Sequence, residues 1–353
     1  MCCSAKTLPC FVLTTSGLEA TSAKEVAMLP HVSINSISYR RISATCSGSL
    51  ASLCSLRTVD DVFLEITTWT DIGRSRRSLA RLRQLGARLD LYAAAMCCAR
   101  LRPVCLPPAF SLTVSFVGKR NYTSEEIKAV LAHEIERKHR GWTYQQDDRA
   151  ADLNVRVFLE HDVAAVGVRL AKTALHDRWY QRVHLPGGLK PPVAAALALL
   201  AQTTSTTRVL DPCCGSGTIL IEAALQGASV CGGDRNPRAV AAARANVATA
   251  GVKVSVHQWD ATSLPIATAA MDCVITNLPW GRQVPVDKAL ASLYQHIFMQ
   301  MRRVLAPAGR LAVLTNTPQQ IDPLDLSCVE QIEISLFGQR PTILIFSATH
   351  ASR

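Results

Sequence analysis

The sequence predicts an α/β protein whose second half folds as a mostly parallel sheet with helices on both faces. From Thr207 onward, short apolar runs alternate with helical runs, and the connections are short, which is typical of such a sheet. The stretch Val209–Glu222, VLDPCCGSGTILIE, combines a strand, a glycine turn and a helix start. The chain has 353 residues, 48% of them hydrophobic, which is enough for two or three domains with their own cores.

The second half is predicted as alternating strands and helices followed by a hairpin. Asn236 can cap a helix that Pro237 begins, and Pro191 can begin another in the same way. Strands are expected at Arg208–Leu210, Ser229–Gly232, Lys253–His257, Cys273–Thr276 and Gly309–Leu314, helices at Thr218–Gln226, Pro237–Ala250 and Lys288–Leu305, and the hairpin at Val329–Ser335 and Thr342–Ser347.

The first half is predicted as smaller α/β units with helices between them. Alternating β-branched residues favour strands, and Thr123 or Ser124 can cap a helix with help from Glu126. The leucines of SRRSLARLRQL fall at helical spacing, which indicates an amphipathic helix. The expected strands are Cys10–Thr15, Val32–Tyr39, Arg41–Cys46, Val62–Thr67, Ser111–Val117, Asp152–Leu159 and Val163–Leu170, and the expected helices are Gly17–Met28, Ser75–Leu85, Leu89–Leu101 and one from Ser124 to about His139.

Composition and charge narrow the class of partner. The formal net charge is +11, and Gly73–Arg102 holds eight arginines but one acid, Asp90. This excess suits a polyanionic partner, although a solvated helix face explains the charge run equally well. The 13 cysteines include no C-x-x-C pair, so we expect reduced thiols and no metal site. We see no secretory leader and no apolar run of about 18 residues, and therefore expect a cytoplasmic protein without a membrane span.

The glycine turn that follows the strand at Val209 suits an adenosine-type cofactor. Gly215 and Gly217 lack a Cβ, so a ligand can approach their backbone closely. The helix that begins at Thr218 presents unpaired N–H groups. Asp211 at the strand end adds an acceptor, which suits a ligand with an ammonium group better than a pyrophosphate. The spacing also differs from both nucleotide-binding glycine motifs.

Two further carboxylates follow the next strands. Asp234 is placed to accept hydrogen bonds from two ribose hydroxyls, as an acid does in dinucleotide-binding folds. Its alternative role is a helix N-cap, which Asn236 fills better. Asp260 is either a ligand of the cofactor or an ordinary turn aspartate.

Two motifs carry a resemblance to a known family. The first is D-P-x-C-G-S-G-T-x-x-I-E-A-A, which begins at Asp211, and the second is N-L-P-W-G, which spans Asn277–Gly281. Together and in this order they resemble the class I S-adenosylmethionine-dependent methyltransferases that modify exocyclic amino groups, specifically RNA guanine-N2 methyltransferases with a THUMP domain. The resemblance implies S-adenosylmethionine as cofactor and a Rossmann-like, mostly parallel seven-stranded sheet with an antiparallel last strand.

The resemblance also assigns the cofactor site residue by residue. Asp260 is expected to accept from the adenine amino group. The segment HDRWYQRVHLPGGLKPPVAAALALL resembles the stretch that folds over the cofactor in this family. The expected cofactor-binding residues are Asp211, Pro212, Cys214, Gly215, Ser216, Gly217, Asp234, Asp260, Ala261, Lys190 and Pro191.

The second motif is expected to receive the methyl acceptor. The side-chain oxygen of Asn277 and the backbone carbonyl of Leu278 can accept hydrogen bonds from an exocyclic amine. Pro279 stiffens the loop, and Trp280 offers a face for a flipped base, although core packing is its alternative role. Adenine-N6 and glutamine-N5 methyltransferases use a similar motif, so the motif does not exclude those substrates.

The first half resembles RNA-binding modules of the same family. FVLTTSGLEA resembles the start of the ferredoxin-like domain of THUMP-containing RNA methyltransferases, and SFVGKRN, SEEI and DLNVRV resemble the THUMP domain itself. We expect five domains or linkers: 1–72 ferredoxin-like, 73–109 helical, 110–172 THUMP, 173–206 linker and 207–353 methyltransferase. The expected RNA contacts, for which plain solvent exposure is the alternative, are Lys119, Arg120, Arg137, Lys138 and Arg140.

The sequence therefore predicts an RNA methyltransferase that forms N2-methylguanosine in structured RNA, with tRNA as the leading substrate. Ribosomal or another RNA is the alternative substrate. A catalytically inactive RNA-binding protein and a protein methyltransferase are alternatives of other classes. A small activator subunit, as some eukaryotic relatives require, and the oligomeric state are left open.

Overall fold

The computed structural model describes residues 7–280 and 288–348. They divide into two compact units. The first contains the residues up to Thr14 together with Ala23–Leu175, and the second contains Thr15–Ser22 together with the residues from His176 onward. Within the described ranges, every helix is too short or too polar to span a membrane.

The first unit is built on one eight-stranded sheet. Its strands are β1 Leu8–Leu13, β2 Val32–Ser38, β3 Arg41–Cys46, β4 Asp61–Trp69, β5 Ala109–Phe116, β6 Thr143–Tyr144, β7 Leu153–Glu160 and β8 Val163–Arg169. They are ordered β2-β3-β1-β4-β8-β7-β5-β6. Neighbouring strands are antiparallel except that β5 runs parallel to both β6 and β7.

Four α-helices accompany these strands: α1 Glu19–Ala27, α2 Arg77–Gly86, α3 Tyr92–Ala99 and α4 Ser124–Lys138. A 3-10 helix at Leu50–Ser55 and the short strand β6 were not expected from the sequence.

Local side-chain contacts explain where two of these helices begin. The predicted cap of α4 is confirmed: Thr123 Oγ1 accepts from Glu126 N, and Glu126 Oε2 accepts from Thr123 N. Helix α3 begins at Tyr92, three residues later than expected, because the Asp90 carboxylate accepts from Tyr92 N at 3.0 Å and holds the chain in a turn.

The sheet is continuous across the expected domain boundaries of the first half. β4, from the segment expected to be ferredoxin-like, pairs with β8, from the segment expected to be THUMP. The predicted division into 1–72, 73–109 and 110–172 therefore describes stretches of sequence that share one sheet, and the five-part domain organisation stays a prediction.

The second unit contains the predicted seven-stranded sheet. Its strands are β9 Arg208–Asp211, β10 Ser229–Asp234, β11 Val254–Gln258, β12 Met271–Asn277, β13 Leu305–Thr315, β14 Leu326–Glu333 and β15 Thr342–Ala348. The order is β11-β10-β9-β12-β13-β15-β14. The first five are parallel, and β15 is antiparallel to both of its neighbours. The predicted fold class, a mostly parallel sheet with an antiparallel last strand, is confirmed.

Helices cover both faces of this sheet, as the alternation of strands and helices predicts. The helices are α5 Pro191–Leu200, α6 Thr218–Leu225, α7 Pro237–Ala250 and α8 Lys288–Val304. Successive strand residues point to opposite faces. In β9, Val209 accordingly packs in the core beneath α5, α6 and α7, whereas Leu210 packs in the core beneath α8.

Residues 15–22 join the second unit although they lie near the start of the chain, which the sequence did not indicate. The Leu18 side chain is fully buried in the core beneath α5, α6 and α7. Ser335 N donates to Ser16 O at 2.9 Å. A Cβ on Gly17 would lie 2.1 Å from Glu333 O, so only glycine fits there. The segment is therefore an integral part of the second unit.

Candidate active site

The candidate site lies where the strand order of the second sheet reverses. From β9 the chain continues to β10 on one side, whereas β12 pairs with β9 on the other side. Ligands in open α/β sheets bind at the carboxyl ends of the strands at such a point. β9 ends at Asp211 and β12 ends at Asn277, so the two predicted motifs emerge from adjacent strands at one edge.

The glycine turn between β9 and α6 is pinned to β10 and leaves open space over one glycine. Cys214 N donates to Gly233 O at 2.9 Å. A Cβ placed on Gly215, where φ is +53°, meets nothing within 4 Å. A Cβ on Gly217 would instead lie 3.1 Å from the Ala243 Cβ on α7. The expected access for a ligand therefore exists at Gly215, whereas α7 leaves little room for a side chain at Gly217.

Asp211 is a buried carboxylate with no cationic partner in the part of the chain that the structure describes. Its side chain is 1% exposed, and Oδ1 accepts from Cys213 N at 3.1 Å. Burial raises the pKa of Asp211 from 3.8 to about 7. Among the described residues, no basic side chain forms an ion pair with it. A ligand that brings a positive charge to this position fits the site, because a buried charge is stable only when it is paired.

Asp234 joins the glycine turn to the start of α7. Its Oδ2 accepts from Gly215 N at 3.1 Å, and its Oδ1 accepts from Asn236 N at 2.9 Å. A carboxylate oxygen has more than one lone pair, so both oxygens can still accept from ribose hydroxyls. Asn236 Oδ1 accepts from Arg238 N and caps α7, as predicted.

Asp260 has the geometry of a turn aspartate. It is exposed, and Oδ1 accepts from the backbone N–H and the hydroxyl of Thr262 at 2.8 and 2.7 Å. These hydrogen bonds hold the pKa of Asp260 below its usual range. Its Oδ2 has no donor among the described residues, which leaves it available to a ligand.

The loop around Asp260 is fixed to the glycine turn. Trp259 Nε1 donates to Pro212 O at 3.2 Å, and Ala261 is buried. The predicted residues Pro212, Asp260 and Ala261 therefore belong to one connected substructure.

Residues 176–190, which we call the strap, are anchored beside the glycine turn by Asn246 of α7. Asn246 Oδ1 accepts from Arg182 N and Val183 N, each at 3.0 Å. Its Nδ2 donates to Ser216 O at 3.0 Å. Sequence reasoning missed Asn246, whose only signal is a polar residue within an alanine-rich helix.

A buried ion pair anchors the start of the strap to α6. Arg178 Nε lies 3.1 Å from Glu222 Oε1, and the Tyr180 hydroxyl donates to the same oxygen at 2.6 Å. All three side chains are buried. The strap thus lies against the turn and helix that were expected to hold the cofactor.

The strap ends at Lys190, and Pro191 begins the next helix. Pro191 is buried at the first position of α5. The Lys190 ammonium lies 5.5 Å from the centroid of the Phe337 ring, a cation–π distance. The charge of Lys190 therefore lies beside an aromatic ring at the turn between β14 and β15, and its cofactor contact stays a prediction.

The loop after β12 holds its asparagine in a defined orientation. Asn277 Oδ1 accepts from Trp280 Nε1 at 3.0 Å. Because the indole N–H is only a donor, the amide must present its oxygen to it. Leu278 is buried, and its N–H donates to Leu314 O at 3.0 Å. Gly281, the last residue of the predicted motif, lies outside the described residues.

Tyr294 of α8 contacts this loop from the helix. Sequence reasoning missed this residue as well. Its hydroxyl donates to Pro279 O at 2.9 Å, and its side chain is buried. Trp280 is half-buried and packs partly against the core beneath α5, α6 and α7. The loop is therefore held by its backbone and by two aromatic side chains.

The five predicted RNA contacts in the first unit differ in their availability. Lys119 and Arg140 are exposed, and their side chains have no partner among the described residues. Arg137 pairs with Glu134 at 2.8 Å, and Lys138 donates to a backbone carbonyl at 2.7 Å. The Arg120 guanidinium donates to three backbone carbonyls and the Tyr122 hydroxyl, so its charge holds loops together.

The basic run Gly73–Arg102 supplies the other available charges. Arg81 of α2 and the nearby Arg88 are exposed, and no described residue pairs with their guanidinium groups. Both line a cleft of about 500 Å³, together with Thr67 and Trp69. Three more arginines of the run also lack a side-chain partner among the described residues: Arg74, Arg77 and Arg100.

The comparison with protein families concerns the second unit. The family model for an RMKL-like methyltransferase domain matches residues 178–331. This range includes the strap, the glycine turn and the loop after β12.

Curated relatives extend the comparison. The human U6 snRNA (guanine-N(2))-methyltransferase THUMPD2 is 30% identical over 56% of this chain and 38% of its own length. The tRNA (guanine(6)-N2)-methyltransferase of Thermus thermophilus is 31% identical over 57% of this chain and 60% of its own length. The mouse tRNA (guanine(6)-N(2))-methyltransferase THUMP3 is 28% identical over 58% and 43%. The chain thus spans 38–60% of the length of these relatives.

Solved structures share the whole architecture. TrmN from Thermus thermophilus superposes with a TM-score of 0.76 at 22% identity, covering 97% of this chain and all of that one. A predicted N6-adenine-specific DNA methylase from Listeria monocytogenes gives 0.74 at 19% identity, covering 97% of both chains. A further solved structure of this fold, with a TM-score of 0.75 at 18% identity, contains SAH.

Proposed function

We propose, from the match of residues 178–331 to the RMKL-like methyltransferase domain model, that this chain methylates the N2 amine of guanosine in RNA. The observation that carries the proposal is the pairing of two loops on adjacent strands. The turn with open space over Gly215 follows β9, and the oriented amide of Asn277 ends the neighbouring β12. A cofactor site and an amine-accepting site therefore face the same sheet edge.

The residues of the glycine turn fit S-adenosylmethionine. This cofactor supplies an electrophilic methyl group on a sulfonium sulfur. The buried Asp211 carboxylate, which forms no ion pair with any described residue, would meet the ammonium group. Asp234 would accept from the ribose hydroxyls, Asp260 Oδ2 would accept from the adenine amine, and Gly215 would let the ligand approach the backbone.

Asn277 and Leu278 make the target amine a better nucleophile. The lone pair of an exocyclic guanine amine is delocalised into the ring, and hydrogen bonds donated by the amine return electron density to nitrogen. Asn277 Oδ1 and the Leu278 carbonyl are the two acceptors. The Asn277 oxygen keeps a second lone pair while it accepts from Trp280, so both bonds can coexist. No general base is needed, since the proton leaves after methyl transfer.

The distribution of charge supports this assignment. The net charge of +11 for the whole chain suits a phosphate backbone, and so do the guanidinium groups of Arg81 and Arg88 in the first unit, which no described residue pairs with. The relatives from Thermus thermophilus and mouse are named for guanosine 6 of tRNA, which makes tRNA our leading substrate. The human relative is named for U6 snRNA, which is the second candidate.

The test is methylation by the purified chain with labelled S-adenosylmethionine. The substrates are an unmodified tRNA transcript with guanosine at position 6 and a U6 snRNA transcript. Mass spectrometry of the digested nucleosides should show N2-methylguanosine in the tRNA. Inosine at the target position, which lacks the amine, is the matched control and should abolish transfer. Incorporation that persists with inosine, or no incorporation into either RNA, would contradict the proposal.

The cell compartment and a possible activator subunit belong to the same proposal. We infer that the enzyme is cytoplasmic, which fractionation of cells can test. Purified protein that methylates RNA only after addition of cell extract would indicate that an activator subunit is required.

A further inference from the structure

The turn between β14 and β15 carries an exposed aromatic residue at its centre. We call residues 334–341 the hairpin tip. Ile334 N donates to Pro341 O at 3.0 Å, and Leu336 and Gln339 exchange two backbone hydrogen bonds of 3.0 and 2.9 Å. Phe337 and Gly338 are therefore the two central residues, with φ values of +52° and +74°.

Phenylalanine is an unfavourable residue for this turn. A two-residue hairpin turn with positive φ at both positions favours Asn-Gly, because bulky side chains avoid the left-handed region. The Phe337 side chain is 61% exposed, so core packing offers little compensation. Phe337 is both strained and exposed, although asparagine would relax the turn. This combination points to a function for the Phe337 ring.

A positive charge lies beside the ring. The Lys190 ammonium is 5.5 Å from the Phe337 centroid, and no described residue forms an ion pair with it. The tip thus combines an aromatic surface with an unneutralised cation. Single-stranded nucleic acids are bound by this combination, through base stacking on the ring and phosphate pairing with the cation.

The hairpin tip lies at the same end of the sheet as the loop after β12, where the parallel strands have their carboxyl ends. Asn277 is aligned with Leu314 of β13, and Leu314 is aligned with Ile343 of β15. The tip begins beyond Glu333, which is aligned with Thr342. Neighbouring strands are about 4.8 Å apart, so two spacings separate Asn277 from β15 by about 10 Å. Stacked nucleotides advance about 3.4 Å each along one strand, so this distance is the span of a few nucleotides.

We propose that Phe337 and Lys190 bind a nucleotide that flanks the target guanosine in the RNA. Its base stacks on the Phe337 ring, and its phosphate pairs with Lys190. This inference rests on the proposed function and extends it to a second contact within the catalytic unit. A protein partner at the hairpin tip is the competing interpretation, and measurements of RNA affinity distinguish the two.

The informative variant is Phe337→Asn. Asparagine suits the turn, so the melting temperature should be equal to or higher than that of the unmodified protein. The affinity for a labelled, unmodified tRNA transcript should fall at least about fivefold, the lower end for loss of one base–aromatic stack. Phe337→Trp should restore it, since tryptophan also stacks. Val329→Thr is the control, because Val329 is an exposed apolar residue of the same hairpin, on β14.

The outcomes separate this inference from the proposed function. Unchanged tRNA affinity in Phe337→Asn overturns the inference, and so does an equal loss in Val329→Thr. If the unmodified protein methylates neither RNA but binds tRNA, the proposed function fails, while the Phe337→Asn comparison still decides whether the hairpin tip binds a nucleotide. An unmodified protein that binds no RNA overturns both. A variant that keeps RNA affinity but loses a copurifying protein assigns the tip to a protein partner and overturns the inference.

Lys190→Gln tests the phosphate contact separately. The slope of log affinity for the tRNA against log salt concentration should become shallower by about one. The slope is measured without S-adenosylhomocysteine, so that it reports the phosphate contact and not the expected cofactor contact of Lys190. An unchanged slope overturns the role of Lys190 proposed here.

Discussion

Asp211 should make cofactor binding depend on pH. Burial raises its pKa from 3.8 to about 7, so near pH 6 the side chain is largely protonated in the free protein. An ammonium group favours the ionised carboxylate, and binding at that pH must therefore release a proton. The affinity for S-adenosylhomocysteine should fall as the pH drops below about 7, by up to tenfold per pH unit, and should be level above it.

The raised pKa of Asp211 should also make the stability of the free protein depend on pH, which is an independent test. Because the folded-state pKa is raised, the stabilising contribution is complete below about pH 4 and is lost as the pH rises to about 7. The difference between 3.8 and about 7 corresponds to about 4 kcal/mol at 1.36 kcal/mol per pKa unit, which is an upper bound for a relaxing protein. Asp211→Asn should therefore be more stable than the unmodified protein at pH 8, with the difference shrinking towards pH 4.

Calorimetry in two buffers of different ionisation enthalpy measures both affinity and proton release. Asp211→Asn should bind S-adenosylhomocysteine about 10-fold or more weakly at pH 8, the scale of a lost charge-assisted hydrogen bond, and without a step near pH 7. Asp260→Asn is the comparison for the pH dependence: its affinity should also fall, because Asp260 contacts the adenine in the proposed site, but the step near pH 7 should remain, since the pKa of Asp260 is lowered. A level affinity between pH 6 and 8 with no proton release would show that the ammonium does not meet Asp211.

Three further outcomes can be measured. Asn277→Ala should keep S-adenosylhomocysteine affinity and lower the single-turnover methylation rate by about 10²-fold or more. Asn277→Asp keeps an acceptor and should retain more of that rate. A near-normal rate in the alanine variant contradicts the proposed role of Asn277 towards the amine. Leu18→Ala should lower the free energy of unfolding by about 2–5 kcal/mol, against under about 0.5 kcal/mol for the exposed Met28→Ala, as denaturant titration would show. Arg81→Gln with Arg88→Gln should reduce the salt dependence of tRNA binding by about two in slope, and an unchanged slope removes the cleft from the RNA surface.

Elements specified by local signals could be predicted almost to the residue. Helix α7 runs from Pro237 to Ala250, as expected, because Asn236 caps it, proline begins it and Gly251 ends it with φ +70°. The fold class of the second unit also followed from the order of its strands and helices. These signals act over a few residues, and the sequence displays them directly.

Contacts between distant residues could not be predicted. The Asn246 amide reaches the strap about 63 residues earlier in the chain, and Tyr294 reaches Pro279 from another helix. The sequence also did not indicate that the guanidinium of Arg120, whose RNA contact stays a prediction, donates to carbonyls of separate loops. In each case the residue type permits several partners, and the tertiary fold selects among them.

The segment Thr15–Ser22 has a consequence for the history of this gene. The chain leaves the first unit after Thr14, contributes Leu18 to the second core and returns at Ala23. A recombination event that transferred only the codons from residue 176 onward would deliver the second unit with an unfilled hydrophobic position and an exposed hairpin backbone. Transfer of the second unit to a new protein is therefore expected to include residues 15–22, or to require a replacement for Leu18.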